Sequence, residues 1–137
     1  MKISNALQKV TLSIFQSLPL IVGILALVNL ISLALEDIYP RIFTGNFLLD
    51  PLIGALAGSV SFGIPITSYI VGGELIRQGV SLLAVTAFIM AWTTVGLAML
   101  PLEATYLGKK FAIKRNLLNF VFSLLIAILT VLTLQIF

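Results

Sequence analysis

The chain has no cysteine and no histidine among its 137 residues, and only five acidic residues. The first two absences exclude disulfides, thiolate or imidazole metal sites, and every Ser/His or Cys/His catalytic arrangement. Charge is scarce as well, at 9% of residues, where a soluble domain carries about a quarter. Apolar residues make up 60% of the chain, and its mean hydropathy is +1.18. With so few charges a soluble fold could not cover its own apolar surface, whereas lipid tails solvate such side chains directly. The composition therefore predicts an integral membrane protein with a single membrane domain, 1–137. The net charge of +3 does not point to nucleic acid, because the cations sit at the ends of apolar runs and not on a basic face with aromatics between them. No cofactor or metal is expected.

Apolar residues at Leu7, Val10, Ile14 and Leu18, with Gln8 and Lys9 opposite, follow a one-sided helical period. They predict an amphipathic helix over 1–16, lying at the membrane surface and leading into a first span at 18–35. The absence of a small-x-small cleavage site after this run makes it a retained anchor. A loop with Tyr39, Pro40, Arg41 and Asn46 follows. Asp50 and Pro51 then read as helix cap and first helical position. Residues 50–79 form a broken unit: Leu52 to Phe62, an interruption at Gly63-Ile64-Pro65, then Ile66 to Gln78. Each arm has about a dozen residues, roughly 18–20 Å at helical rise, and is too short to cross a ~30 Å core. Full spans are expected at 80–100 and 116–137, separated by a basic cytoplasmic loop at 101–115.

Cytoplasmic loops favour Lys and Arg. If the broken unit enters and leaves on one side, Lys2, Lys9, Lys109, Lys110, Lys114 and Arg115 all lie inside, and only Arg41 and Arg77 outside. If it crosses, the bias nearly vanishes. Charge thus favours an all-α architecture of an amphipathic N-terminal helix, three transmembrane helices and one re-entrant helix–break–helix hairpin, with a cytoplasmic N-terminus. The alternative is four transmembrane helices, the second of them kinked.

A break at membrane depth leaves peptide groups that lipid cannot satisfy, so it persists where it is buried or lines a wet cavity. The run Ser59 to Tyr69 surrounds this one with hydroxyls. The second arm points its amino-terminal N–H groups toward them, an arrangement that transporters use at the midplane. Ser61, Gly63, Pro65, Thr67, Ser68 and Tyr69 are therefore candidates for a substrate path, the bland reading being that the hydroxyls only tie up broken backbone. Glu74 joins them as an intramembrane carboxylate able to bind a cation or carry a proton, although pairing with Arg77 would neutralise it. Gly54, Gly58, Gly72 and Gly73 are candidates for close helix packing. Thr86, Met90, Thr93 and Leu97 share a face, Trp92 lies well inside its span, and Asn119, Ser123 and Thr130 align on the last. With Asn29 and Ser32 they suggest a shared polar interior. Glu103 reads as a structural helix start.

The run Gly58-Ser-Val-Ser-Phe-Gly-Ile-Pro-Ile-Thr-Ser-Tyr69, the stretch Gly72 to Gly96, and the turn Leu107-Gly108-Lys109-Lys110 resemble the predicted-permease family that includes the organoarsenical efflux permeases. The likeness rests on Gly63, Pro65, Ser68, Leu75, Gly79, Ala87 and Phe88 and covers roughly residues 50–115, about half of the chain. Members of that family are about twice as long and contain two related halves, so the resemblance implies a stand-alone half. Arsenical-type relatives often carry cysteines beside the proline. This chain has none, so thiophilic binding through Cys is excluded, the arsenical assignment is not carried over, and only the permease architecture is implied. The resulting expectation is a half-size permease in the prokaryotic cytoplasmic (inner) membrane, acting as a homodimer on a small polar or ionic solute. A non-transporting accessory subunit of a larger membrane complex is the rival. With no evident base–nucleophile pair, an enzyme is not expected.

Overall fold

The computed structural model describes residues 8–12, 15, 18–19, 22–23, 26–27, 30, 39–61 and 63–136. Two compact units divide the chain, residues 1–34 and 35–137. In the first, the described residues between Gln8 and Leu30 are helical with exposed side chains. Most of the expected surface helix 1–16 and of the span 18–35, and the polar patch at Asn29 and Ser32, lie outside the described residues.

The second unit contains α1 (Tyr39–Ile42), α2 (Leu49–Val60), α3 (Pro65–Arg77), α4 (Leu82–Thr94), a 3-10 turn (Leu97–Met99), α5 (Leu100–Leu107) and α6 (Lys109–Ile136). Among the described residues there is no strand. Two helical stretches, Leu82–Leu107 and Lys109–Ile136, are long and apolar enough to cross a membrane, with mean hydropathies of 1.9 and 2.5.

Helix α4 is the hub on which α2, α3 and α6 pack. Its Ala84, Ala87 and Ala91 are fully buried, and small side chains let neighbouring backbones approach closely. Helix α2 answers with Gly54 and Gly58. A Cβ at Gly54 would strike the Ala84 carbonyl, and one at Gly58 the Phe88 carbonyl. Because Gly54 faces Ala84 and Gly58 faces Phe88, α2 runs in the same direction as α4. Helix α3 runs the other way. Gly63, just before it, lies against Trp92; Gly72 faces Val85 and Ile89; Leu75 and Val80 cluster with Ala84, Val85 and Phe88. At Gly72 a Cβ would come within 2.8 Å of the Ile89 side chain. Gly73 is different: a Cβ there would meet nothing within 4 Å, so it makes no close helix contact in the described chain.

The start of α2 departs from the sequence reading. The helix begins at Leu49, and the capping acceptor is Asn46, whose Oδ1 accepts from the Leu48 and Leu49 N–H groups at 2.9 and 3.2 Å. Asp50, 1% exposed, instead reaches back to accept from the Thr44 and Gly45 N–H groups at 3.1 and 2.8 Å. A carboxylate in the first turn also meets the positive end of the helix dipole.

Two further expectations are corrected. The span expected at 80–100 is not one helix, since α4 ends at Thr94 and an extended Val95 follows. Pro101 falls in the first turn of α5, where its missing N–H costs nothing and its ring avoids the clash with the Leu97 carbonyl that an unbroken helix would impose. The loop expected at 101–115 is helical. Gly108, at φ 88°, lets α5 and α6 abut directly, so Lys109, Lys110, Lys114 and Arg115 lie on the opening turns of α6.

Candidate functional site

The chain breaks helix twice. At the first break α2 stops at Val60, and Ser61 and Ile64 are extended, with ψ 146° and 148°. Gly63 between them has φ 155°, a conformation that side-chain-bearing residues rarely adopt. Pro65 restarts the helix at its first turn, where a missing N–H costs nothing. At the second break the Gly96 N–H, which would have continued the ladder onto Trp92, donates instead to Asn116 Oδ1 at 2.9 Å.

The breaks meet. A half-enclosed cavity of about 260 Å³ is lined by Ser61 and Gly63 from the first, by Trp92 through Gly96, Ala98 and Met99 from the second, and by Glu103 and Arg115. Trp92 bridges the two, its indole N–H donating to the Gly63 carbonyl at 3.4 Å while its ring stands edge-on to Phe88 at 5.4 Å. Glu103 and Arg115 form an ion pair, their side chains 19% and 39% exposed. Buried Asn116 holds this end together by donating to Glu103 Oε2 at 3.1 Å and to the Ala112 carbonyl at 3.0 Å, besides accepting from Gly96. Asn119 donates to the Thr94 carbonyl at 2.8 Å, satisfying a second group at the end of α4.

Of the residues expected from sequence to form a substrate path, Ser61 and Gly63 line this cavity, together with Trp92, Thr93 and Glu103, which were noted from sequence in other roles. Pro65 opens α3, and the Thr67 N–H donates to the Ile64 carbonyl at 3.0 Å. Ser68 is fully buried and its hydroxyl donates to the Pro65 carbonyl of its own helix at 2.7 Å, and it is not among the residues that line the cavity. Tyr69 is 59% exposed. Glu74 is not brought to the break. It lies about two and a half turns further along α3, where it pairs with Arg77 at 3.2 Å and accepts from Gln78 Nε2 at 3.1 Å. The polar faces of α4 and α6 are mostly self-satisfied: Thr86, Thr93, Thr94, Ser123 and Thr130 all donate to carbonyls of their own helix.

Asn116, Arg115 and the break at Gly96 were not singled out from sequence. The available signal was Gly96 followed by Pro101, a second glycine–proline interruption spaced more widely than Gly63 and Pro65. No family model, curated protein or solved structure matches this chain.

Proposed function

We propose that the chain is a permease-like membrane transport protein, a half-size unit working as a homodimer, which moves a small polar or ionic solute through the cavity between its two helix breaks. The observation that carries this reading is the meeting of both breaks, and of the Glu103–Arg115 pair, on one polar space. Non-helical backbone is stable at membrane depth only inside protein or against water, and discontinuous helices facing one cavity are how secondary transporters build a site. The opposite directions of α2 and α3 along α4 support a re-entrant hairpin, with both ends of 50–79 on one side of the bilayer. The charge bias supports a cytoplasmic N-terminus, and the prokaryotic inner membrane is the setting proposed with it. A second copy would complete the wall that one unit leaves open, as the resemblance to two-halved permeases also suggests.

One observation favours the rival reading of an accessory subunit. Only 11% of the apolar window of α6 is buried, a bare flank suited to a larger neighbour as well as to lipid. Flux separates the two. In liposomes containing the purified protein, labelled sodium, methylammonium, chloride and phosphate are each followed against empty vesicles. The expected result is saturable flux of at least one probe, abolished by Thr94→Phe, which fills the cavity. Folded protein with no flux of any probe would remove the transport reading.

A further inference from the structure

The hydrogen-bonding census of this cavity is lopsided. The Ser61 hydroxyl spends its proton on the Ala57 carbonyl at 2.7 Å. Thr93 and Thr94 spend theirs on Ile89 and Met90 carbonyls, at 3.0 and 2.7 Å. The Trp92 indole N–H is engaged by Gly63, and the Gly96 N–H by Asn116. What these groups keep is acceptor capacity, since a hydroxyl that has donated still offers lone pairs. The end of α4 adds more, because Gly96 no longer donates to the Trp92 carbonyl and the helix dipole puts its negative end there. Glu103, with one bond to each oxygen, retains lone pairs of its own. Among the described lining side chains, Arg115 is the one with donors to spare, and its charge is already matched by Glu103.

We propose that this cavity binds a small organic cation, a protonated amine, with Glu103 as its counter-ion in competition with Arg115. The inference rests on the reading of this space as a solute site and names its substrate class. An acceptor-lined wall rewards a solute that brings donors and positive charge, and leaves an anion's oxygens facing oxygens. Size argues for an organic ion over a bare alkali cation. A cavity of roughly 150 Å³ suffices for benzene, and this one is about 260 Å³. Trp92 adds an aromatic surface of the kind that attracts ammonium groups.

The chain has a single tryptophan beside three tyrosines, so emission excited selectively at the indole reports Trp92, which lines this cavity. The full chain in lipid nanodiscs is titrated with propylammonium chloride and, separately, with sodium propionate, following Trp92 fluorescence and, independently, heat. Propylammonium is expected to bind saturably and at least about ten-fold more tightly than propionate, the worth of one charge-assisted hydrogen bond. Glu103→Gln should weaken propylammonium by a similar factor, and Arg115→Gln, which frees the carboxylate, should tighten it several-fold. Propionate binding as well as propylammonium, or no saturable response by either measurement, overturns the proposal. The wild-type ranking decides even where Glu103→Gln does not fold. Propylammonium binding without flux would remove the transport reading and leave this one standing; flux with preference for propionate would do the reverse.

Discussion

Alanine at Gly58 and alanine at Gly73 add the same methyl group to two helices, and the packing gives them opposite consequences. At Gly58 the new Cβ would overlap the Phe88 carbonyl oxygen and stand 3.0 Å from the Trp92 nitrogen. Both obstacles are backbone, so no rotamer relieves them, and α2 must draw away from α4. Overpacking of this kind costs about 1–3 kcal/mol. At Gly73 the methyl meets nothing, and replacing a mid-helix glycine gains roughly 0.5–1 kcal/mol. That propensity gain is common to both sites and cancels in the comparison. Gly58→Ala should therefore be less stable than Gly73→Ala by about 1–3 kcal/mol. Unfolding of the two purified variants in mixed micelles, followed by circular dichroism, measures the difference directly. Equal stabilities would refute the assigned packing of α2 on α4. A Gly73→Ala variant that is the less stable of the pair would mean that a further helix sits on α3.

Asn116→Ala leaves the Gly96 N–H without its acceptor and Glu103 with one donor fewer; the same assay should register a loss of about 1–3 kcal/mol. Asp50→Ala frees the Thr44 and Gly45 N–H groups and should cost about 1–3 kcal/mol, with faster hydrogen exchange at those two amides and unchanged exchange in α6. In the flux assay Glu103→Gln should impair transport more than Glu74→Gln, because only Glu103 lines the cavity; the opposite order would move the site to the far end of α3.

The all-helical character, the two membrane-length stretches Leu82–Leu107 and Lys109–Ile136, and the first break were legible because each rests on local chemistry. Apolar runs of membrane length, and the Gly63–Pro65 pair, need no knowledge of neighbours. Gly54 and Gly58 were legible as packing positions for the same reason, although only the fold names Ala84 and Phe88 as their partners. The distance of Glu74 from the break was less legible, since nearness in sequence along a helix still means more than ten ångströms of rise. The surroundings of Ser68 were not legible, because a hydroxyl reads alike whether it faces a cavity or bonds back to its own helix. The second break was hidden by spacing. Gly96 and Pro101 stand far enough apart that the apolar run between them reads as uninterrupted span. Asn116 was hidden by distance, since its partners at Gly96 and Glu103 come from other elements and no local pattern marks it.

That the two breaks coincide follows from helix lengths and register. Gly54 opposite Ala84 and Gly58 opposite Phe88 are the same offset of 30 residues. Continuing that register to the end of α2 sets Val60 level with Met90, one turn short of Thr94, where α4 itself stops. A helix α2 one turn longer would carry its break past the end of α4, and a shorter one would bury it against the Ala84–Ala91 ridge. Neither arrangement would leave one polar space shared by both. Because α3 then returns along α4, its carboxyl end is carried away, which is why Glu74 lies outside the cavity lining. The charged groups at the cavity are Glu103 and Arg115, brought up to the second break by the sharp turn at Gly108 between α5 and α6. The cavity is thus specified less by any polar motif than by Gly54 and Gly58, which fix how closely α2 and α4 stand, and by where each helix gives way, at Gly63 and at Val95 and Gly96.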